Sequence, residues 1–205
     1  MGEIKAVVFD LYGTLVRFSA NERKPFRQLF TTLGLTPAEM KEARMLSMTQ
    51  NFESFQSLAE KLRPGCIIDC EQLKHDLDTD IDHAILFPEV IGVLKGLKDM
   101  GLRLGLISNL ATPYKRVVYN FKLDEYFEYM VFSCDVGLVK PDPRIYQIMI
   151  SRLGLEPQCI LMTGDQFIKD VGPPRDAGMK AVHLNRSGSY TEGSIASLKE
   201  LFQYL

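Results

Sequence analysis

Ala6-Val7-Val8-Phe9-Asp10-Leu11-Tyr12-Gly13-Thr14-Leu15 is the stretch on which the fold turns. Its four leading apolar residues, three of them β-branched or aromatic, predict a strand buried on both faces, the pattern of a central strand in a parallel sheet. Asp10 then falls at the strand's carboxyl end, where open α/β sheets gather their chemistry. Gly13 turns the chain and Thr14 sets a hydroxyl beside the carboxylate. Alone, the segment reads more readily as a strand and turn whose Asp and Gly serve backbone geometry. The rest of the chain changes that balance.

After Leu15 the hydrophobic period shifts. Phe26, Leu29, Phe30 and Leu33 recur at helical spacing within residues 21–33, and Gly34 closes the run. Thr36-Pro37-Ala38-Glu39 has capping-box spacing with proline at the first helical position, which opens a second helix through Met48. A third helix is expected over 52–62, ended by Pro64-Gly65, and a fourth over 71–86. Helices without strands predict a helical cap inserted over residues 16–84, hinged near Arg17 and Ala84, on an α/β core of residues 1–15 and 85–205. Met45, Met48, Phe52 and Phe55 are candidates to line a substrate pocket there, although an apolar helical stripe is core by default.

The second half alternates. A helix from Pro88 to Met100 is followed by a strand over 102–107 that ends in Ser108-Asn109, and Thr112-Pro113 opens another helix. A short strand over 129–132, a helix over 143–153, a strand over 159–162 ending in Thr163-Gly164-Asp165, a last core strand over 181–184 and an amphipathic helix over 195–205 complete the series. This alternation predicts a doubly wound parallel sheet built by right-handed crossovers. Residues 186–193, with their serines and glycines, are expected to form a mobile loop.

The chain has 205 residues, 46% of them hydrophobic, enough for one full core and a smaller insertion. Twenty-four basic and twenty-six acidic residues leave a formal charge of −2, and no basic block tracks a phosphate backbone, so nucleic acid is not an expected partner. No apolar run approaches a membrane span, and the first strand starts within six residues of Met1; a cytoplasmic protein without a cleaved leader or membrane contact is expected, acting on a small-molecule substrate. The cysteines (Cys66, Cys70, Cys134, Cys159) do not make a disulfide framework. Cys66 and Cys70 with His75 and His83 lack the paired spacing of a zinc site and read as small apolar fillers.

Two later strand ends and one proline-rich loop also carry polar residues. Ser108 and Asn109 by themselves suggest a helix cap. Lys140, in Val139-Lys140-Pro141-Asp142-Pro143-Arg144-Ile145-Tyr146, sits in a loop whose prolines restrict its dihedrals. Asp165 and Asp170 lie five apart in Thr163-Gly164-Asp165-Gln166-Phe167-Ile168-Lys169-Asp170-Val171-Gly172-Pro173. A carboxylate near Asp10 in a partly buried site would repel it and lift one pKa unless a cation sat between them, and Mg²⁺ is the economical cation.

Together, in this order and spacing, the Asp10, Ser108, Lys140 and Asp165 segments strongly resemble the four motifs of the haloacid dehalogenase superfamily across nearly the whole chain. The resemblance implies that Asp10 is a covalent nucleophile, that Lys140 neutralises it and the transferring group, and that Thr14, Ser108 and Asn109 contact substrate. It further implies Mg²⁺ held by Asp10, Asp165 and the backbone carbonyl of Tyr12, with Asp170 orienting Lys140 or a metal-bound water. Phosphatases of the superfamily carry an aspartate acid/base where this chain has Tyr12; the 2-haloacid dehalogenases carry tyrosine there. Arg44 is a candidate for the halide-binding arginine of those dehalogenases, and Tyr146 suits their pattern. Asp165 opposes it, because they carry serine at that place. A neutral phenol of pKa about 10 cannot act as base near neutrality, though it is a candidate proton donor. The resulting expectation is a Mg²⁺-dependent phosphatase of a small phosphorylated metabolite, best on activated esters or acyl phosphates. The alternatives are a metal-free 2-haloacid dehalogenase and a catalytically weak binding protein of the same fold.

Overall fold

The computed structural model describes residues 3–187 and 193–205. Its centre is β1 (Ala6–Phe9), flanked by β4 (Arg103–Ser108) and β6 (Ile160–Gly164). Beyond them β5 (Tyr129–Phe132) pairs with β4, and β7 (Lys180–Leu184) with β6, every pair parallel. A sixth strand, β8 (Ser194–Ile195), extends the sheet past β7, giving the order β5-β4-β1-β6-β7-β8. The four residues of β1 are wholly buried because both faces are covered. Val7 and Phe9 join the cluster under α5 (Val90–Asp99) and α6 (Arg116–Asn120), while Ala6 and Val8 join the one under α8 (Pro143–Leu153), the period-2 alternation of a strand.

Between β2 (Val16–Arg17) and β3 (Ile85–Leu86), which pair antiparallel, lies a helical insertion of α1 (Pro25–Thr32), α2 (Pro37–Thr49), α3 (Phe55–Leu62) and α4 (Glu71–Asp82). The capping box expected at Thr36 and Glu39 is present. Other boundaries move for identifiable reasons. α1 begins at Pro25 rather than near residue 21, because Lys24 takes a left-handed φ of 59° and the buried Asp80 carboxylate accepts the Arg23 and Lys24 N–H groups at 2.6 and 3.0 Å. A Ser54–Ser57 box delays α3 to Phe55. α4 stops at Asp82, and Ile85 and Leu86, whose apolar character suits either period, pair with β2 instead.

The C-terminal segment is the main correction. Ile195 belongs to β8 rather than to a helix, so β7 is not the last strand. The Ser197 cap, reciprocated by Glu200, starts the following turn at Leu198, and residues Leu198–Tyr204 are 3₁₀ rather than α-helical. Thr112-Pro113 likewise opens one 3₁₀ turn before α6, and the single turn α7 (Ser133–Val136) follows β5. Of the loop expected over 186–193, residues 188–192 lie outside the described residues. No helix among the described residues is long and apolar enough to cross a membrane.

Replacing Asp80 by alanine should lower stability by about 2 kcal/mol, since two N–H groups then lose a charged acceptor. Urea unfolding of the variant measures the loss; an unchanged midpoint would mean that the α1 entry is held by other contacts.

Candidate active site

Asp10 leaves β1 with its N–H on the Thr163 carbonyl of the neighbouring strand (3.0 Å), so the backbone of both strand ends is fixed before any side chain is considered. The chain then turns sharply: Thr14 and Leu15 both donate to the Leu11 carbonyl, at 3.3 and 2.8 Å. Gly13 is required here twice over. Its φ is +91°, and a Cβ on it would overlap the Asp165 carboxylate that packs against the turn. Thr14 links the two acids, its hydroxyl lying 3.5 Å from Asp10 Oδ2 and accepting the Asp165 N–H at 3.1 Å.

Lys140 is the hub. Its Nζ donates to Asp10 Oδ1 and to Asp170 Oδ1, both at 2.6 Å, and all three side chains are buried. Asp170 sits at the end of α9 (Phe167–Asp170), ahead of α10 (Gly172–Asp176), and its other oxygen accepts the Gln166 N–H at 3.1 Å. The absence of a side chain at Gly164 gives the Asp170 carboxyl its room. The Asn109 side chain clasps the Lys140 main chain: its amide nitrogen donates to the Lys140 carbonyl and its amide oxygen accepts the Lys140 N–H, each at 2.8 Å. Tyr146, fully buried on α8, donates to the Lys169 carbonyl and so ties the loop of Lys140 to that of Asp170. Ser108 is buried at the end of β4, on the strand beside Asp10.

The electrostatics follow from two carboxylates sharing one ammonium with a third beside them. Burial pushes Asp10 up to about 6; Lys140 opposes that rise, and Asp170 and Asp165 add to it. Burial works against the charge on Lys140, but Asp10 and Asp170 outweigh it and hold its pKa above the ordinary value. Asp165 is also raised, by burial and then by Asp170. Its Oδ1 is buried with no hydrogen-bond partner. Oxygens of Asp10, Asp165 and Asp170 lie within 4.8 Å of one another, the single such cluster among the described residues. An unpartnered carboxylate oxygen in an all-oxygen donor set suits a hard divalent cation.

Tyr12 is turned to another use. Its hydroxyl donates to the Tyr114 carbonyl at 3.0 Å, its ring stacks on Phe18 at 4.6 Å, and burial pushes its pKa up from the ordinary phenol value. Arg44 is exposed on α2, outside the hydrogen-bonded cluster. Phe52 and Phe55 line a cavity between the insertion and the core, whereas Met45 is exposed and Met48 half-buried on α2.

Two residues at the site's edge escaped the sequence reading. Arg186, just past β7, donates to the Thr14 carbonyl (2.8 Å) and to Glu89 Oε1 (2.6 Å), and its guanidinium covers the Phe87 ring at 3.6 Å. His183 Nε2 lies 3.0 Å from the Asp165 carbonyl, which only accepts, so that nitrogen carries the proton. Neither sits in a local pattern that signals its partner.

The sequence profile of the haloacid dehalogenase-like hydrolases matches residues 4–178. The chain belongs to this hydrolase family. Among curated relatives, the glyceraldehyde 3-phosphate phosphatase of Methanopyrus kandleri is 32% identical over 116 residues, which are 56% of this chain and 49% of that enzyme. The chain thus matches about half the length of that phosphatase. The (S)-2-haloacid dehalogenase 4A of Burkholderia cepacia is 26% identical over 208 residues, covering 96% of this chain and 89% of that one. Among solved structures, an HAD phosphatase from Thermococcus onnurineus superposes with a TM-score of 0.69 at 26% identity, covering 98% of this chain and 97% of that one. The fold, the hydrolase class and the mixture of phosphatase and dehalogenase kinship therefore stand as the motifs implied.

The raised pKa of Asp10 predicts a pH signature in EDTA. The folded carboxyl keeps its proton up to about 6, whereas the unfolded one releases it near 3.8, so the folded state binds the extra proton between these values. This group's stabilisation is therefore full below the lower value and is lost as the pH rises through the upper. The Tm of the wild type relative to Asp10→Asn should fall across that window; a flat difference would mean that Lys140 keeps Asp10 ionised throughout.

Proposed function

We propose that the chain is a Mg²⁺-dependent phosphatase that acts on small phosphate monoesters through an aspartyl phosphate at Asp10. Asp165 carries this reading: a carboxylate oxygen buried without a partner, beside two acids that already share the one lysine, is a costly arrangement for a metal-free site. Asp10, Asp165 and the main chain at Tyr12 would hold the ion. When bound, Mg²⁺ supplies positive charge opposite the carboxylates and the phosphoryl oxygens.

An Asp10 carboxylate oxygen attacks phosphorus in line, a new P–O bond forms, and the ester oxygen departs with the electron pair of the bond that breaks. Water then attacks the phosphorus of the aspartyl phosphate, releasing phosphate and restoring the carboxylate. Lys140 offsets the charge of the nucleophile and of the phosphoryl group, and Ser108 donates to an equatorial oxygen. Asn109 and Asp170 position Lys140, while Thr14 positions Asp10 against Asp165. The helices of residues 16–84 act as a cap that excludes water.

The phenol of Tyr12 is a poor acid and base in this setting, because its proton is held by the Tyr114 carbonyl and burial disfavours its ionisation. Esters whose alcohols need little protonation, and acyl phosphates, are therefore the best substrates. The second reading is C–halogen hydrolysis through an aspartyl ester, which needs no proton donor for a departing halide. Tyr12 itself and the near full-length match to a haloacid dehalogenase favour it.

Assays of acetyl phosphate, an activated aryl phosphate and 2-chloropropionate, each with Mg²⁺ and with EDTA, separate the two. Mg²⁺-dependent release of phosphate is expected, with Asp10→Asn inactive; EDTA-resistant release of chloride would replace this reading with the dehalogenase.

Tyr12→Asp should raise turnover of alkyl phosphates by roughly a hundredfold to ten-thousandfold, the range of positioned acid/base catalysis, and that of aryl phosphates far less. It should also lower Tm, since the stack on Phe18 is lost. A folded, Mg²⁺-binding variant without the selective gain would exclude a missing acid/base at this position.

A further inference from the structure

Thr14 is the residue through which two acids from separate strands meet. Wholly buried, it sets its hydroxyl 3.5 Å from Asp10 Oδ2 and accepts the Asp165 N–H at 3.1 Å. That bridge holds only while the main chain of Thr14 keeps its place, and the turn itself restrains it weakly. Its N–H reaches the Leu11 carbonyl at 3.3 Å, against 2.8 and 3.0 Å for the N–H groups of Leu15 and Val16. The preceding Gly13, at φ +91°, has no side chain to limit rotation of the peptide that joins them. The Thr14 carbonyl is fixed from outside the turn, by Arg186 Nη2 at 2.8 Å.

Arg186 comes from a distant part of the sheet. It follows β7, and β6 lies between β7 and β1, so only a long side chain reaches across to the turn. Its guanidinium is itself held: Nη1 donates to Glu89 Oε1 at 2.6 Å, and the group covers the Phe87 ring at 3.6 Å. Among the described residues its hydrogen bonds go to Thr14 and Glu89 and to neither acid of the cluster. Arg186 Nε is buried with no hydrogen-bond partner. An unpaired buried N–H lowers stability, which weighs against a purely structural role.

We propose that Arg186 is a positioning residue for hydrolysis at Asp10. By holding the Thr14 carbonyl it keeps the Thr14 hydroxyl between Asp10 and Asp165, and so fixes the spacing of the attacking carboxylate and its acidic neighbour. Its effect is geometric, because Glu89 already matches its charge and a neutral residue stands between it and the acids. Small displacements matter here, since an in-line attack starts from a carboxylate oxygen within about 3.5 Å of phosphorus. The role rests on the phosphatase reading and deepens it.

The test uses the full chain with Mg²⁺ and 4-nitrophenyl phosphate, below the Tm of each variant. Arg186→Met keeps an apolar stem over Phe87 and removes the donors; the same variant with Glu89→Gln, which leaves no acid unpaired, serves if the single one does not fold. The kcat should fall about a hundredfold, the cost of a misplacement near 1 Å, with KM close to that of the wild type. Amide exchange followed by NMR should be faster at the Asp165 N–H, whose acceptor is Thr14 Oγ1, and unchanged in β5. A folded variant with wild-type kcat, or one that loses kcat while the Asp165 N–H exchanges as before, would overturn the role and leave the phosphatase standing. Should the wild type release no phosphate, the phosphatase reading fails. Chloride release from 2-chloropropionate, also an attack by Asp10, then carries the same comparison, and if neither substrate is turned over the positioning role falls as well.

Discussion

The ammonium of Lys140, out of water between Asp10 and Asp170, is the interaction on which the site depends. Desolvating a charge costs several kcal/mol, and the cost is met only while both short ion pairs keep their geometry. The loop that carries Lys140 must therefore be held as firmly as the sheet. Asn109 grips its main chain from the end of β4, and Tyr146 ties the following helix to the Asp170 segment. Strand ends distant in sequence converge because the parallel sheet places their carboxyl termini along one edge, with β1 in the middle.

Where one side chain's requirement is local, the sequence announces it. β1 and β6 were legible because strands buried on both faces need uninterrupted apolar runs, and α2 because Thr36 and Glu39 satisfy each other three residues apart. The order of the cluster was legible because Asp10, Ser108 and Asp165 close or follow strands and Lys140 lies beside a proline-bounded turn. What escaped depends on partners that no local pattern names. β8 is two residues long and Ile195 suits a helix as well as a strand; only β7 beside it decides. The hold of Asn109 on the Lys140 main chain joins residues 31 apart, and Arg186 sits in a stretch that reads as loop.

Tyr12 and Asp165 pull the chemistry in different directions, and the geometry shows how both are accommodated. The turn at Gly13 needs the main chain of residue 12, not its side chain, so the phenol is free to leave the carboxylate cluster and stack with Phe18 and Tyr114. The side chain at this place therefore sets the packing around Phe18 and Tyr114 without altering the turn. Asp165 has no such freedom, since it is confined against Gly13 and receives its backbone hydrogen bond from Thr14.

Arg186 has a mechanical consequence. Its guanidinium holds the Thr14 carbonyl in the turn after Asp10, and also Glu89 and the Phe87 ring just past β3. The N–H of Phe87 in turn rests on the Leu15 carbonyl, so the strands leading into and out of the helical insertion are tied to each other and to the same arginine. Any rotation of the helices about β2 and β3 must strain these bonds or be transmitted to the Gly13 turn. The joint behaves less like a free pivot than like a sprung one, braced by the β2–β3 pair, by the Phe87–Leu15 bond and by an arginine that reaches it from just past β7.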